Sequence, residues 1–325
     1  MLSRVADSCF WLSRYIERAE TNARLLDVNR QLLLDFEDQE SEGSRNYWTP
    51  ILATLQDQEM FGKLYDRVDA DSVLEYVTFE KKNPNSIVSC ISAARENART
   101  IREQISSEMW EQLNKVYLYL KSPAARSDYQ QTPSDFYRSL MEGSHLFAGI
   151  TDATMTHGEG WLFLQAGKYL ERADSTSRVL DIKYHLLLPR GEQVGGNVDI
   201  TQWIAVLRSC SAREAYLKIY EGQVTVAGVV EFLTLNASFP RSIRFSVDHV
   251  DRILHRISGQ STLSFTNDAE RLSGLLRSSI DYAQIGPILE TGLHQYLDHV
   301  QQRLSEIAGA LAKTYCEWLE ETPAD

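Results

Sequence analysis

The sequence predicts an all-α protein, a helical bundle made of two tandem, sequence-related copies. Three observations carry that expectation. Only 8 prolines and 17 glycines are spread over 325 residues, so long stretches are free of helix breakers. Apolar residues recur at intervals of three and four, the spacing of one helix face. Whole segments recur in the same order along the chain. A hydrophobic content of 43% at this length supplies a core and allows two average domains.

The repeat is read from aligned segments. YIERAETNARLLDVNRQLLL, from Tyr15 to Leu34, aligns without gaps on YLERADSTSRVLDIKYHLLL, from Tyr169 to Leu188. VLEYVTFEKKNPNSI, from Val73 to Ile87, aligns on VVEFLTLNASFPRSI, from Val229 to Ile243, and between them Trp48 matches Trp203. The offset drifts slightly, as small loop insertions would make it. Residues 1–153 and 154–325 are therefore read as first and second helical repeats of five or six helices each, packed as one globular unit. Breaks are expected near Asp35–Arg45, Lys121–Pro133, Pro189–Val198 and Ser258–Asn267, where Gly, Ser, Pro or charge collects. Pro84 and Pro240, each followed two residues later by a serine, mark a helix start in both copies.

The first helix of each copy holds the candidate site. Val5, Cys9, Leu12, Ile16, Ala19, Ala23, Leu26 and Leu33 form a core stripe with one break at Arg30. On its flank runs a polar row, Ser13, Glu17, Glu20, Arg24 and Asp27, which recurs as Gly167, Glu171, Asp174, Arg178 and Asp181. The structural reading pairs Glu17 with Arg24 and Glu171 with Arg178 in buried networks that set helix packing. The functional reading has the carboxylates orient a ligand amine, a metal or a partner loop. Arg18 and Arg172 point to another side, towards a neighbouring helix, an interface or solvent.

Other constellations carry less. Arg95, Glu96 and Arg99 align with Asp251, Arg252 and His255 with signs inverted at two positions, which suggests an Arg95–Asp251 salt bridge between copies. Asp248, Asp251 and His255 share a helix face, but no paired E-x-x-H motif of a di-iron bundle accompanies them, so no metal and no other cofactor is expected. GWLFLQAGKY lacks the spacing of a phosphate loop, and GEQVGG follows no strand. THGEGWLF, with His157, Glu159 and Trp161, reads as a helix opening with an aromatic anchor or as a ligand-facing turn. Neither a G-x-S-x-G motif nor a cysteine with a nearby histidine is present, so catalysis by this chain alone has no sequence support. A net charge of −12 with scattered basic residues argues against nucleic acid. No apolar run reaches the roughly 18 residues of a membrane span. Four separated cysteines and a charged amino-terminal segment suit a cytoplasmic location.

LSRVADSCFWLSRYIERAETNARLLDV, NPNSIVSCISAARENAR, FPRSI and GEGWLFLQAGKYLERADSTSRVLD resemble the Alpha-E family, a bacterial α-helical domain named for a Glu-Arg motif. The resemblance runs from about Leu2 to the last helix, and it departs at His157. It places the motif on Glu17-Arg18 and Glu171-Arg172, with an Arg-Glu-Asn stretch at Arg95, Glu96 and Asn97. It implies a companion of a circularly permuted ATP-grasp ligase, and of transglutaminase-like or peptidase proteins, acting in the making or processing of a peptide or amide bond. On that basis the chain is expected to be an accessory or co-catalytic subunit that binds an amine or peptide substrate or the ligase itself. Glu17 and Glu171 would be the catalytic carboxylates; Glu20, Arg24, Asp27, Asp174, Arg178, Asp181, Arg18 and Arg172 would bind. The alternative is a non-catalytic helical scaffold for a peptide-modifying complex.

Overall fold

Two long helices organise the molecule, because each has an apolar stripe that must be buried along its length. The computed structural model describes residues 1–37, 48–55, 57–185 and 195–316. Among these the chain is all helical, with sixteen α-helices and no strand. The first eight are α1 (Ser3–Glu37), α2 (Trp48–Leu55), α3 (Gln58–Gly62), α4 (Ala70–Thr78), α5 (Ile87–Thr100), α6 (Ser107–Lys121), α7 (Pro123–Gln131) and α8 (Pro133–Thr154). The second eight are α9 (Glu159–His185), α10 (Asn197–Ser209), α11 (Arg213–Ile219), α12 (Val226–Leu235), α13 (Ile243–Ser258), α14 (Asp268–Asp281), α15 (Ile285–Thr291) and α16 (Leu293–Leu311). A π-helical turn, Ala312–Cys316, follows.

Eight helices on each side exceed the five or six expected. Short helices fill stretches read as breaks. Pro123 and Pro133 sit in the first turns of α7 and α8, where a missing N–H costs nothing, so they open helices inside the expected loop. The break after Ser258 is real: Gly259, at φ 75°, ends α13, and Asn267 caps α14 by accepting from the Glu270 amide. The breaks near Asp35–Arg45 and Pro189–Val198 fall largely outside the described residues. No helix among those described is long and apolar enough to cross a membrane.

α1 and α9 lie side by side and run parallel, since contacts advance together from Ser13 with Leu164 to Arg18 with Glu171. Gly167 lets them touch: a Cβ there would collide with the Phe10 carbonyl and the Ser13 hydroxyl. α5 and α8 pack on α1, and α13 and α16 on α9. α2 and α10 cross over, α2 lying on α9 and α10 on α1. The core stripe from Val5 to Leu26 is buried as the periodicity predicts, and one apolar cluster continues from it through both halves.

Pro84 and Pro240 precede helices, but the serines beyond them do the capping. Ser86 accepts from the Ser89 amide at 3.2 Å and Ser242 from the Phe245 amide at 3.1 Å. The residues just before these caps, Asn85 and Arg241, are thereby delivered to the sides of α1 and α9. The expected Arg95–Asp251 bridge does not form. Arg95 donates to Asn114 at 2.8 Å and lies over the Tyr117 ring, whereas Asp251 accepts from Ser273 at 2.8 Å and Arg277 at 2.6 Å. Each charge is satisfied within its own half because α5 and α13 serve different central helices.

Candidate functional site

One glutamate from the polar row of each central helix faces the other helix and is bound by arginines of that helix. Glu171 accepts from Arg14 Nε at 2.7 Å and from Arg18 Nε at 2.6 Å and Nη2 at 2.9 Å. Reciprocally, Glu17 accepts from Arg172 Nε at 2.7 Å and Nη2 at 3.0 Å, with Arg241 at 3.4 Å. Arg18 and Arg172 each clamp the glutamate of the other helix with a two-pronged fork, and each also reaches the segment before a helix of its own half, Arg18 Nη1 donating to Asn85 Oδ1 at 2.7 Å and Arg172 Nη1 to the Pro240 carbonyl at 3.4 Å. The pairings expected within each helix shift by one turn: Arg24 closes on Glu20, and Arg178 on Asp174 at 2.8 Å. The reason is position, since Glu17 and Glu171 face the seam squarely and are taken by guanidiniums that cross it.

Electrostatics follow from that burial. Burial alone would push the Glu171 carboxyl up from its ordinary value of 4.5, but Arg14 and Arg18 outweigh it and hold the group at about 2. Burial likewise opposes ionisation of Glu17 and Glu20, and Arg172 with Arg241 for the first, and Arg241, His145 and Arg24 for the second, hold both below the ordinary range. The row's outer members tie other helices in. Asp27 accepts from Ser134 on α8 at 2.8 Å, and Asp181 is 2.7 Å from His294 Nδ1 on α16. His294, with Asp298 beyond it, carried no sequence signal.

Two clefts flank the crossed pairs. Beside Glu171 a cleft of about 340 Å³ is walled by α1, α9, the end of α2 and α16, with Arg14, Arg18, Asp174 and Arg178 on its charged side. Four polar atoms buried in its lining have no hydrogen-bond partner: Thr21 Oγ1, Thr54 Oγ1, Asp57 Oδ2 and Gln301 Nε2. Buried polar atoms are almost always paired, so four unpaired ones among the residues lining one cleft set it apart as the candidate site. Beside Glu17 the corresponding space is about 50 Å³, bordered by Glu20, His145, Lys168, Arg172 and Arg241. Burial, with Arg172 adding to it, lowers the Lys168 ammonium's pKa.

Of the sequence row, Glu171, Asp174 and Arg178 line the larger cleft and Ser13, Glu17 and Glu20 the smaller, whereas Arg24, Asp27 and Asp181 line neither, and the orphaned atoms were missed. Asp57 in LQDQEM reads as an ordinary helix cap, and Thr21, Thr54 and Gln301 have no pattern of their own. Asp248, Asp251 and His255 form no shared open ligand set, because both His255 ring nitrogens lie against backbone carbonyls, of Asp251 at 2.8 Å and Ser264 at 2.9 Å. His157 stacks on Trp161 at 4.1 Å, and Trp161 packs on the core as the opening of α9. The Gly-Lys of GWLFLQAGKY lies inside α9.

The crossed Glu-Arg pairs meet a family signature. Residues 1–316 match the model of Alpha-E, described as a predicted alpha-helical domain with a conserved ER motif. The chain belongs to the Alpha-E family. It is 26% identical over 273 residues to uncharacterized proteins of Mycobacterium bovis and of two strains of Mycobacterium tuberculosis. The match covers 79% of this chain and 30% of each relative, so the chain spans under a third of the length of those longer proteins. No solved structure matches the chain.

Proposed function

We propose that this Alpha-E chain is the substrate-holding companion of an ATP-grasp amide or peptide ligase, presenting an amine or peptide in the cleft beside Glu171. The ligase would activate a carboxyl as an acyl phosphate, and the cleft would hold the attacking partner near it, a gain from orientation. The observation that carries this reading is the convergence of four unpartnered buried polar atoms with a fixed array of guanidiniums and carboxylates on one cleft. A carboxylate that guanidiniums hold below its ordinary range, at about 2 for Glu171 and lowered for Glu17, is a weak proton acceptor, so both act here as positioning residues that fix the arginines and the two helices.

The finer architecture belongs to the same reading. Residues 1–153 and 154–325 are two copies of one unit, supported by the equal helix order, the paired serine caps and the exchange of Glu17-Arg18 with Glu171-Arg172. A cytoplasmic setting suits Cys9, Cys90 and Cys210, unpaired thiols that burial pushes up to about 12. Relatives in which the unit is part of a longer chain suit a component that works beside other domains, of ligase or peptidase type.

The test is reconstitution with the ATP-grasp protein encoded in the same bacterium. The pair should co-purify and form an amide product that neither makes alone. Ser175→Trp, which fills the cleft from α9, should abolish product while leaving co-purification and the melting temperature near wild type. Product formation that ignores removal of this chain, or the filled cleft, rejects the proposal.

A further inference from the structure

The residue before α3 is Asp57, at the position where an aspartate ordinarily accepts from the first-turn amides of its helix. It makes no such bond. Its side chain faces Asn85 and the guanidiniums of Arg18 and Arg178, and its Oδ2 is left buried and unpaired on the cleft. Burial pushes the Asp57 carboxyl up, with Asn85 and the arginines pulling the other way. A carboxylate turned from its helix into a cavity asks for a donor, and a cationic one gains most there. Thr54 and Thr21, at 4% and 8% exposure, add two orphaned hydroxyls to the same lining.

The orphan contributed by α16 has the opposite need. Gln301 Nε2 can only donate. The guanidiniums of Arg14, Arg18 and Arg178 border the same cleft and favour a negative acceptor. With Asp57 ionised, these three arginines balance Glu171, Asp174 and Asp57, so a ligand of zero net charge leaves the wall neutral. A cavity of about 340 Å³ is at the small end of ligand pockets.

The geometry points to a zwitterionic ligand of α-amino-acid to dipeptide size in this cleft, its ammonium held by Asp57 and the threonines and its carboxylate by Gln301 and the arginine side. This rests on the cleft being the amine- or peptide-holding site. The counterpart space beside Glu17, about 50 Å³, is too small for the same ligand. The residue preceding α11 is Ala212, which has no carboxylate, and the residue matching Asn85 is Arg241, which reaches Glu17 and Glu20 and borders the smaller space.

The experiment uses the full chain without any ligase, so its failure is separable from failure of the reconstituted reaction. The probes are the twenty proteinogenic amino acids and the dipeptide L-alanyl-L-alanine, each at millimolar concentration, read by thermal shift and then titration calorimetry. At least one should raise the melting temperature and bind with a stoichiometry of one. The N-acetyl and the carboxamide derivative of that probe should each bind about ten- to a hundredfold more weakly. Asp57→Asn should lose the preference for the free ammonium, and Gln301→Glu the preference for the free carboxylate, with unliganded melting temperatures checked for both. Absence of binding by every probe, equal binding of the blocked derivatives, or wild-type selectivity in both variants overturns the assignment. A product formed by the reconstituted pair alongside any of these would show that the cleft serves the ligase with another ligand class.

Discussion

At the scale of single residues, Glu171 shows how burial turns one charge into several dependencies. Removing it leaves Arg14 and Arg18 buried without their counter-charge, a loss expected to cost about 3–5 kcal/mol, because two desolvated cations remain. Glu171→Ala should therefore lower the denaturant midpoint strongly. Replacing the whole set, Arg14→Met, Arg18→Met and Glu171→Leu, should cost less than that single change, and chemical denaturation of the two variants compares them directly. The same group sets an acid limit. Its pKa is depressed in the folded chain from 4.5 to about 2, so its contribution is complete above 4.5 and is lost as pH falls towards 2. That contribution is roughly 3 kcal/mol, and stability measured between pH 6 and about 2 should fall more gently in Glu171→Gln than in wild type, once their different starting values are subtracted. Parallel curves would contradict this.

At the scale of elements, the α1–α9 seam depends on a close approach at Gly167 and on correct helix starts. A methyl group at Gly167 meets the Phe10 backbone carbonyl, which cannot swing aside as a flexible side chain would. Gly167→Ala is expected to destabilise by about 1–3 kcal/mol through overpacking, seen as a shift in denaturant midpoint. The caps of α5 and α13 are ordinary by comparison. Ser86→Ala and Ser242→Ala should each cost about 1 kcal/mol. Because the residues just before these caps carry Asn85 and Arg241 to the seam, the cap variants should also disturb the crossed pairs, visible as reduced protection of α1 and α9 amides in hydrogen exchange. Full retention of that protection would separate capping from the seam.

At the scale of the whole molecule, crossing makes the halves interdependent. α2 packs on α9 and α10 on α1, and one apolar cluster runs through both halves. Unfolding should be a single transition by calorimetry and by circular dichroism, and residues 1–153 expressed alone should fail to give a cooperative melt. Two resolved transitions, or a cooperatively folding fragment, would show that the seam joins independent units. Much of this frame was legible in the chain itself. Helix content came from scarce Pro and Gly, the buried stripe of α1 from its three-and-four spacing, and the charged row from its recurrence in α9. Sequence reasoning went astray with Arg95 and Asp251, where inverted signs suggested a bond that two different packing partners prevent. Asp57 was hidden because a cap residue and a ligand-facing residue look alike in one dimension.

The sequence by itself determined the helical class and which side chains of α1 and α9 share a face, since these are set by composition and by spacing within one segment, and its long motifs carried the resemblance to the family. Only the tertiary structure decided that Glu17 and Glu171 are clamped by arginines from the opposite helix, and that the space beside Glu171 is about 340 Å³ while that beside Glu17 is about 50 Å³. Partners across a seam, and the room left between them, depend on how separate helices dock, and local spacing carries no record of that distance.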